Sequence, residues 1–367
     1  MNPKICLLSI TASHYRELIY LLIDRAFDCD FVFGMDSTTV KRLDTSILKN
    51  STDIKNVFIG SSSWYIQPGL IKKTKEYDVL INDLGIYCFS SWLVMILAKF
   101  RKQRVYNWDH GWYGRENFLK KWIKRAYFGL STGSFIYGNY AKDLMIKNGF
   151  DAKKLHVIHN SLNYDKQLEI RKRIQKSSIY KEHFRNDLPV LIFIGRLTKV
   201  KKLHQLVEML KLLNNRGEQF NLVLVGDGTE QKTLQSLVCE KGLTNQVWFY
   251  GACYDEQENA ELIYNADLCV APGNVGLTAM HAMMFGCPVL THNDLKWQMP
   301  EFEAIKDLKT GTFFANDNVE SLAMSVSNWF DLKQQSRDEV RESCFKEIDE
   351  EWNPHNQLRI IKEVIYG

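Results

Sequence analysis

Ala271-Pro272-Gly273-Asn274-Val275-Gly276-Leu277-Thr278-Ala279-Met280-His281-Ala282-Met283-Met284-Phe285-Gly286-Cys287-Pro288-Val289 is the stretch on which the fold turns. The apolar run Leu268–Ala271 ends in a Gly-rich loop, and a helix opens near Gly276. Gly286-Cys287-Pro288 closes that helix before the next apolar run. Strand, glycine loop, helix and strand in this order form the unit of a parallel α/β sheet. The loop follows the carboxyl end of its strand, where open α/β sheets bind their ligands. The first amides of the helix, at Gly276, Leu277 and Thr278, have no acceptor within it, which makes its start a phosphate-binding end.

The same rhythm extends outward. In the second half, strands are expected at Val190–Ile194, Asn221–Val225, Val247–Tyr250, Leu268–Ala271 and Pro288–Thr291. After the first of these, Val200, Leu203, Leu206, Val207, Leu210 and Leu213 share one helical face. In the first half, strands are expected at Ile5–Ile10, Phe31–Phe33, Val57–Ile59, Val79–Ile81, Val105–Tyr106, Phe135–Tyr137 and His156–Ile158. Asp165–Asp187, rich in charge, reads as the connection between two domains, and the chain from about Glu320 is helical with one break at Pro354. The expected division is 1–165, 187–350 and a last helix, 351–367, that packs back toward the first domain.

The 367 residues suffice for two domains, and 45% apolar with 25% charged residues is a globular balance. A net charge of +4 is too small to argue for nucleic acid. The eight cysteines form no CxxC pair, which suits a reducing cytoplasm and no zinc site. No signal-peptide core and no transmembrane-length apolar run is visible. No G-x-G-x-x-G follows the first strand, which argues against a dinucleotide dehydrogenase.

Three further segments carry chemistry. In Phe193-Ile194-Gly195-Arg196-Leu197-Thr198-Lys199-Val200-Lys201-Lys202, Arg196 and Lys201 stand at a strand end, where a guanidinium fork and an ammonium suit a diphosphate. A solvated basic helix start accounts for the same residues. Gly226-Asp227-Gly228 reads as a turn. In Asn107-Trp108-Asp109-His110-Gly111-Trp112-Tyr113-Gly114, His110 ends a strand among aromatics, suited to proton handling beside a sugar; a packed loop histidine is the plainer reading. His14, after the first strand, is a second candidate by the same topology, and Asn160, in His159-Asn160-Ser161 near the hinge, reads as a turn residue. Asp28-Cys29-Asp30 precedes its strand and reads as a turn, not a metal site.

Taken together, Gly-Arg-Leu with a lysine five residues after the arginine, Gly-Asp-Gly, Val-Trp-Phe-Tyr-Gly and Gly-Leu-x3-His-Ala-Met-Met-Phe-Gly-Cys-Pro-Val resemble the GT-B glycosyltransferases of group 1, family 4 type, over about Pro189–Phe314. The version with Pro-Gly-Asn-Val-Gly-Leu-Thr is similar to bacterial surface-polysaccharide enzymes. The resemblance implies an α/β GT-B fold of two Rossmann-like doubly wound domains facing a cleft. It implies transfer of a sugar from a nucleotide-diphosphate donor to a glycan or lipid-linked hydroxyl, with no cofactor and no metal. It assigns the diphosphate to Arg196, Lys201, Gly276, Leu277 and Thr278, and the reacting centre to His110. Members of the family usually carry glutamates at the positions of Gly273 and His281, for the donor sugar and the ribose. Here Asn274 and His281 offer the remaining hydrogen-bonding groups, and a His281 that merely packs is an equal reading. The missing glutamates keep two rivals in view, a GT-B nucleotide-sugar epimerase and a non-catalytic GT-B scaffold.

Phe118–Tyr127 divides on a helical wheel into an apolar half and a half with Lys120, Lys121, Lys124 and Arg125. That pattern suits peripheral contact with an anionic membrane at the cytoplasmic face, or an ordinary helix whose lysines face water.

Overall fold

The computed structural model describes residues 3–35, 41–331 and 336–367. The chain forms two compact units, residues 1–163 with 353–367, and residues 164–352.

The N-terminal unit is built on strands β1 (Ile5–Ser9), β2 (Asp30–Met35), β3 (Ser51–Lys55), β6 (Val79–Asp83), β7 (Arg104–Asp109), β8 (Gly133–Ile136) and β9 (Leu155–Val157), with a small hairpin of β4 (Val57–Phe58) and β5 (Tyr65–Ile66). The seven strands pair in the order β3-β2-β1-β6-β7-β8-β9, all parallel. The order reverses between β1 and β6, so their carboxyl ends open the crevice of a doubly wound sheet. Every side chain of β1 is buried, which explains its unbroken apolar run. The helix Pro354–Tyr366 completes this unit. Ile361 and Ile365 enter its core, and the Gln357 amide donates to the His159 carbonyl at 2.6 Å.

The C-terminal unit carries β10 (Val190–Ile194), β11 (Asn221–Val225), β12 (Val247–Gly251), β13 (Leu268–Ala271), β14 (Val289–His292) and β15 (Gly311–Phe314). They pair in the order β12-β11-β10-β13-β14-β15, again all parallel, with the reversal between β10 and β13. The two turns that follow β10 and β13 therefore share the crevice of this sheet.

Several elements differ from the sequence reading. The strand beside β2 is Ser51–Lys55, not Val57–Ile59, whose first residues form the hairpin. β3 lies at the sheet edge with only Ile54 buried, so it lacks an apolar run. Asp165–Asp187 contains two helices, Tyr164–Arg171 and Ile179–Phe184, of which the second packs Tyr180 with its hydroxyl donating to the Leu262 carbonyl at 2.6 Å. The terminal helical region also breaks before Arg337, where Ser336 and Glu339 form a capping box. Val200 leaves the apolar face assigned to it. It lies in the turn Lys199–Lys201 and is exposed, because Lys202 adopts a left-handed conformation and the helix begins at His204.

The helix Phe118–Leu130 departs most. Lys124, placed on the solvated half by the wheel, is buried. Its Nζ donates to the Gly111 carbonyl at 2.6 Å and to Glu116 Oε1 at 2.8 Å. Phe118, Leu119 and Trp122 stand exposed instead. Glu116 also accepts from the amides of Tyr113 and Gly114, both at 2.9 Å, so one buried ion pair shapes the loop after β7. Burial opposes the Glu116 charge, but the Lys124 and amide hydrogen bonds outweigh it and hold the carboxyl below its usual range. Lys124→Ala leaves that carboxylate buried without its cation, and urea unfolding is expected to show a loss of about 3–5 kcal/mol. A loss within the error of extrapolation would show that the loop does not depend on the pair.

Candidate active site

In the C-terminal unit the predicted phosphate-binding residues come from two adjoining turns. Arg196 follows β10 and is exposed, and Lys201 lies in the short turn Lys199–Lys201. From there the Lys201 Nζ donates to the Asn274 carbonyl at 2.6 Å, joining the turn after β10 to the loop after β13. Burial lowers the Lys201 ammonium to about 8, and the nearby Arg196 charge adds to this while Glu301 opposes it. Lys201 is therefore still charged at neutral pH and close to titration.

The helix Leu277–Met284 starts beside that ammonium. Its cap, Gly276, has φ 52° and ψ −148°, a conformation closed to side chains. A Cβ placed there would sit 4.0 Å from Lys201 Nζ. The Thr278 hydroxyl donates to the Ile194 carbonyl at 2.9 Å, which pins the first turn of the helix to the end of β10. Arg196, Lys201, Asn274, Gly276, Leu277 and Thr278 thus converge on one crevice. His281 does not join them. It points one turn on to Glu256, Nε2 to Oε1 2.8 Å.

The loop geometry explains the absent glutamate at position 273. A Cβ on Gly273 would overlap the Val200 carbonyl oxygen and lie 2.7 Å from Lys201 Cα. The backbone of one turn occupies the space where a side chain would begin.

Sequence reasoning missed several supporting residues. Gln298 accepts from the Val275 amide at 2.9 Å and donates to Thr291 Oγ1 at 2.8 Å, and Thr291 donates to the Ala271 carbonyl at 2.8 Å. Glu256, at the start of the helix Glu256–Asn265, accepts from His281 and from Gln167 at 2.7 Å. Burial opposes its charge, but these partners hold it below the usual carboxylate range. No spacing motif links residues this far apart; only the packed sheet does.

His110 belongs to the other unit, just beyond the end of β7 at Asp109. Its ring lies 4.9 Å from the Tyr137 ring. Burial, reinforced by the Arg16 charge, pushes it down to about 4. The imidazole is neutral at pH 7, and its Nδ1 has no hydrogen-bond partner among the described residues. Near it, Arg16 pairs with Asp83 and donates to the Tyr137 hydroxyl, and Asp83 accepts from Ser9 Oγ at 2.8 Å. These groups gather at the ends of β1, β6, β7 and β8. His14 is exposed, its Nδ1 3.1 Å from the Lys41 carbonyl, and Asn160 Oδ1 accepts from the Ser161 amide at 3.0 Å. Asp28 and Asp30 sit at the amino end of β2, bonded to Lys49 at 3.0 Å and Tyr77 at 2.5 Å.

Two parallel sheets with this strand order, and a basic turn against a helix amino end in the second, are the setting for the comparison with known proteins. Residues 175–346 match the family of glycosyl transferases group 1. The chain is 29% identical over 107 residues to the 2-deoxystreptamine glucosyltransferase of Streptomyces kanamyceticus, covering 28% of this chain and 27% of that one. It is 21% identical over 179 residues to the alpha-D-kanosaminyltransferase of the same organism, covering 48% and 46%. These matches span less than half of either relative. Among solved structures, Anabaena Alr3699/HepE in complex with UDP is similar over 99% of both chains, with TM-score 0.76 and 17% identity. The lipopolysaccharide outer core galactosyltransferase WaaB is similar over 99% of both, with TM-score 0.73 and 14% identity. The fold is that of the GT-B glycosyltransferases.

Because Lys201 is half-titrated near pH 8, an anion bound beside it raises its affinity for a proton. Calorimetry with inorganic pyrophosphate at pH 8 in buffers of different ionisation enthalpy is expected to show uptake of about half a proton per site. Lys201→Met should abolish the buffer dependence. Uptake that survives in the variant would move the diphosphate away from Lys201.

Proposed function

We propose that this protein transfers a hexosyl group from a nucleotide-diphosphate sugar to a hydroxyl of a glycan or lipid-linked acceptor in polysaccharide biosynthesis. The observation that carries the reading is the convergence of Arg196, Lys201 and the amides at Gly276–Thr278 on one crevice end. A guanidinium fork, an ammonium and a helix amino end are complementary to the charge that develops on a departing diphosphate. The family match over 175–346 covers these residues. The complexes of HepE with UDP and with UDP-glucose support a uridine diphosphate donor, and the WaaB likeness supports a surface-polysaccharide acceptor.

In this reading Arg196 and Lys201 neutralise the leaving group, and the helix start holds its phosphate oxygens. Asn274 is read as a partner of a sugar hydroxyl, and His281, held by Glu256, as the candidate for the ribose. His110 is read as a residue of the reacting centre that acts as a neutral hydrogen-bonding group, since a ring held to about 4 is a poor base at pH 7.

Charge-assisted hydrogen bonds contribute roughly 1.5–3 kcal/mol each. Arg196→Ala and Lys201→Ala are each expected to weaken uridine diphosphate about tenfold to a hundredfold, with uridine binding unchanged. Thr278→Ala costs less, because its amide survives. Calorimetry on the four proteins checks this. Diphosphate binding as tight as wild type in both cation variants would overturn the reading.

His110→Ala is expected to lower kcat far more than it changes donor affinity. The wild-type rate should show no inflection near pH 6.5, because the ring is neutral throughout the range above about pH 4. A rate that follows a group titrating at 6.5, and loses that dependence in His110→Ala, would make His110 a general base instead.

A further inference from the structure

Twelve of the 21 exposed large apolar side chains among the described residues lie between Val57 and Trp122, less than a fifth of the chain. Exposed apolar residues scattered singly need no explanation, but a cluster does. On the helix Phe89–Phe100, the exposed residues Phe89, Leu93, Ile96 and Phe100 recur at helical spacing, so they form one stripe. On the helix Phe118–Leu130, Phe118 is 87% exposed and Trp122 65%. The two stripes are neighbours. Trp64 stacks on Phe89 at 4.6 Å and meets Tyr87 at 5.4 Å, and Lys120 Nζ lies 6.0 Å from the Tyr87 ring. The helices themselves touch through Trp92 and Tyr127, ring centroids 5.0 Å apart.

Within the segment that carries both stripes, the outward charge has one sign. From Leu84 to Leu130 the chain carries nine lysines and arginines against two carboxylates. Neither carboxylate is exposed: Glu116 is buried in its pair with Lys124, and Asp109 accepts from the Gly111 amide at 2.8 Å. What remains outward, including Lys99, Lys102, Lys120 and Arg125, is cationic. Two copies of the chain meeting through this face would bring like charges together. An anionic lipid surface meets both features at once, with aromatic and aliphatic side chains entering the headgroup region and lysines paired with phosphates. No described helix is long and apolar enough to cross a membrane.

We propose that this face of the N-terminal unit, the stripes Phe89–Phe100 and Phe118–Trp122 with their cationic rim, seats the protein on an anionic bilayer. Lys124 takes no part, because it is buried. The contact is that of an interfacial surface made by two helices, not of the wheel of a single one, and it does not depend on the donor site.

The test is flotation of the full chain with vesicles of equal parts phosphatidylglycerol and phosphatidylcholine, at low ionic strength and with added salt. Wild type is expected to float with these vesicles and to remain behind with phosphatidylcholine alone, less of it floating as salt rises. Lys120→Gln with Lys121→Gln should weaken partition about thirtyfold, from roughly fivefold per basic residue at an anionic surface. Phe118→Ser with Trp122→Ser should weaken it by more than about tenfold. All four side chains are bound to little else, so the melting temperatures should match wild type. In the wild type, Trp emission should shift to the blue on adding the anionic vesicles. Wild type that stays in the aqueous layer, or variants that float like wild type, would overturn the proposal. So would a wild-type dimer that Phe118→Ser with Trp122→Ser converts to monomer, since a second copy would then cover the face.

Discussion

The ammonium of Lys201 bonded to the carbonyl of Asn274 is the contact on which the C-terminal site depends. It fastens the turn after β10 to the loop after β13, the two connections on either side of the strand reversal. The approach is so close that Gly273 has no room for a side chain against Val200 and Lys201. Thr278 makes a second tie by donating to the last residue of β10. Gln298 and Thr291 hold the other side of the loop. A helix amino end is a diffuse positive pole until its loop is fixed, and here three polar side chains fix it beside the Lys201 cation. The close approach of the two turns also buries the ammonium, and burial lowers it to about 8.

The N-terminal unit solves a similar problem with a different device. The loop after β7 has to turn back without regular structure while holding Asp109, His110 and Tyr113. A buried lysine reaches into it from the following helix and is neutralised by Glu116, whose two oxygens also take loop amides. Using Lys124 inward leaves the first turns of its helix without an inward-facing apolar partner set, and Phe118 and Trp122 face out. The outward Phe118 and Trp122 and the ordered loop thus both go with one side chain's direction.

The central strands were legible because buried parallel strands read as unbroken apolar runs; β1, β10, β11 and β13 are buried at every position. Two of the four edge strands, β3 and β15, were not. β3 reads Ser-Thr-Asp-Ile-Lys, and β15 is a four-residue Gly-Thr-Phe-Phe with two positions only partly buried. The glycine loop and basic turn were visible as local patterns, since each lies in one short segment. Their mutual contact was not, because a backbone carbonyl is the partner of Lys201 and carbonyls carry no sequence signal. The wheel misplaced Lys124 for a related reason. Periodicity predicts which residues share a face, but a charged residue on that face goes inward when a buried carboxylate waits there, and Glu116 is eight residues away in a loop.

Position 281 shows how a missing residue type can be recovered from another element. The resemblance leads one to expect a carboxylate there, and the chain has an imidazole. The structure supplies the carboxylate from Glu256, on the helix that follows β12, and bonds it to His281 Nε2. Gln167, from the stretch that reads as a connection, holds the same oxygen. The acidic group is retained at one remove, bonded to the histidine. Bonding through Nε2 fixes the ring's orientation and leaves Nδ1 as its other polar atom. Position 281 is thus held by an acidic partner from another element, with one ring nitrogen left over for a further hydrogen bond.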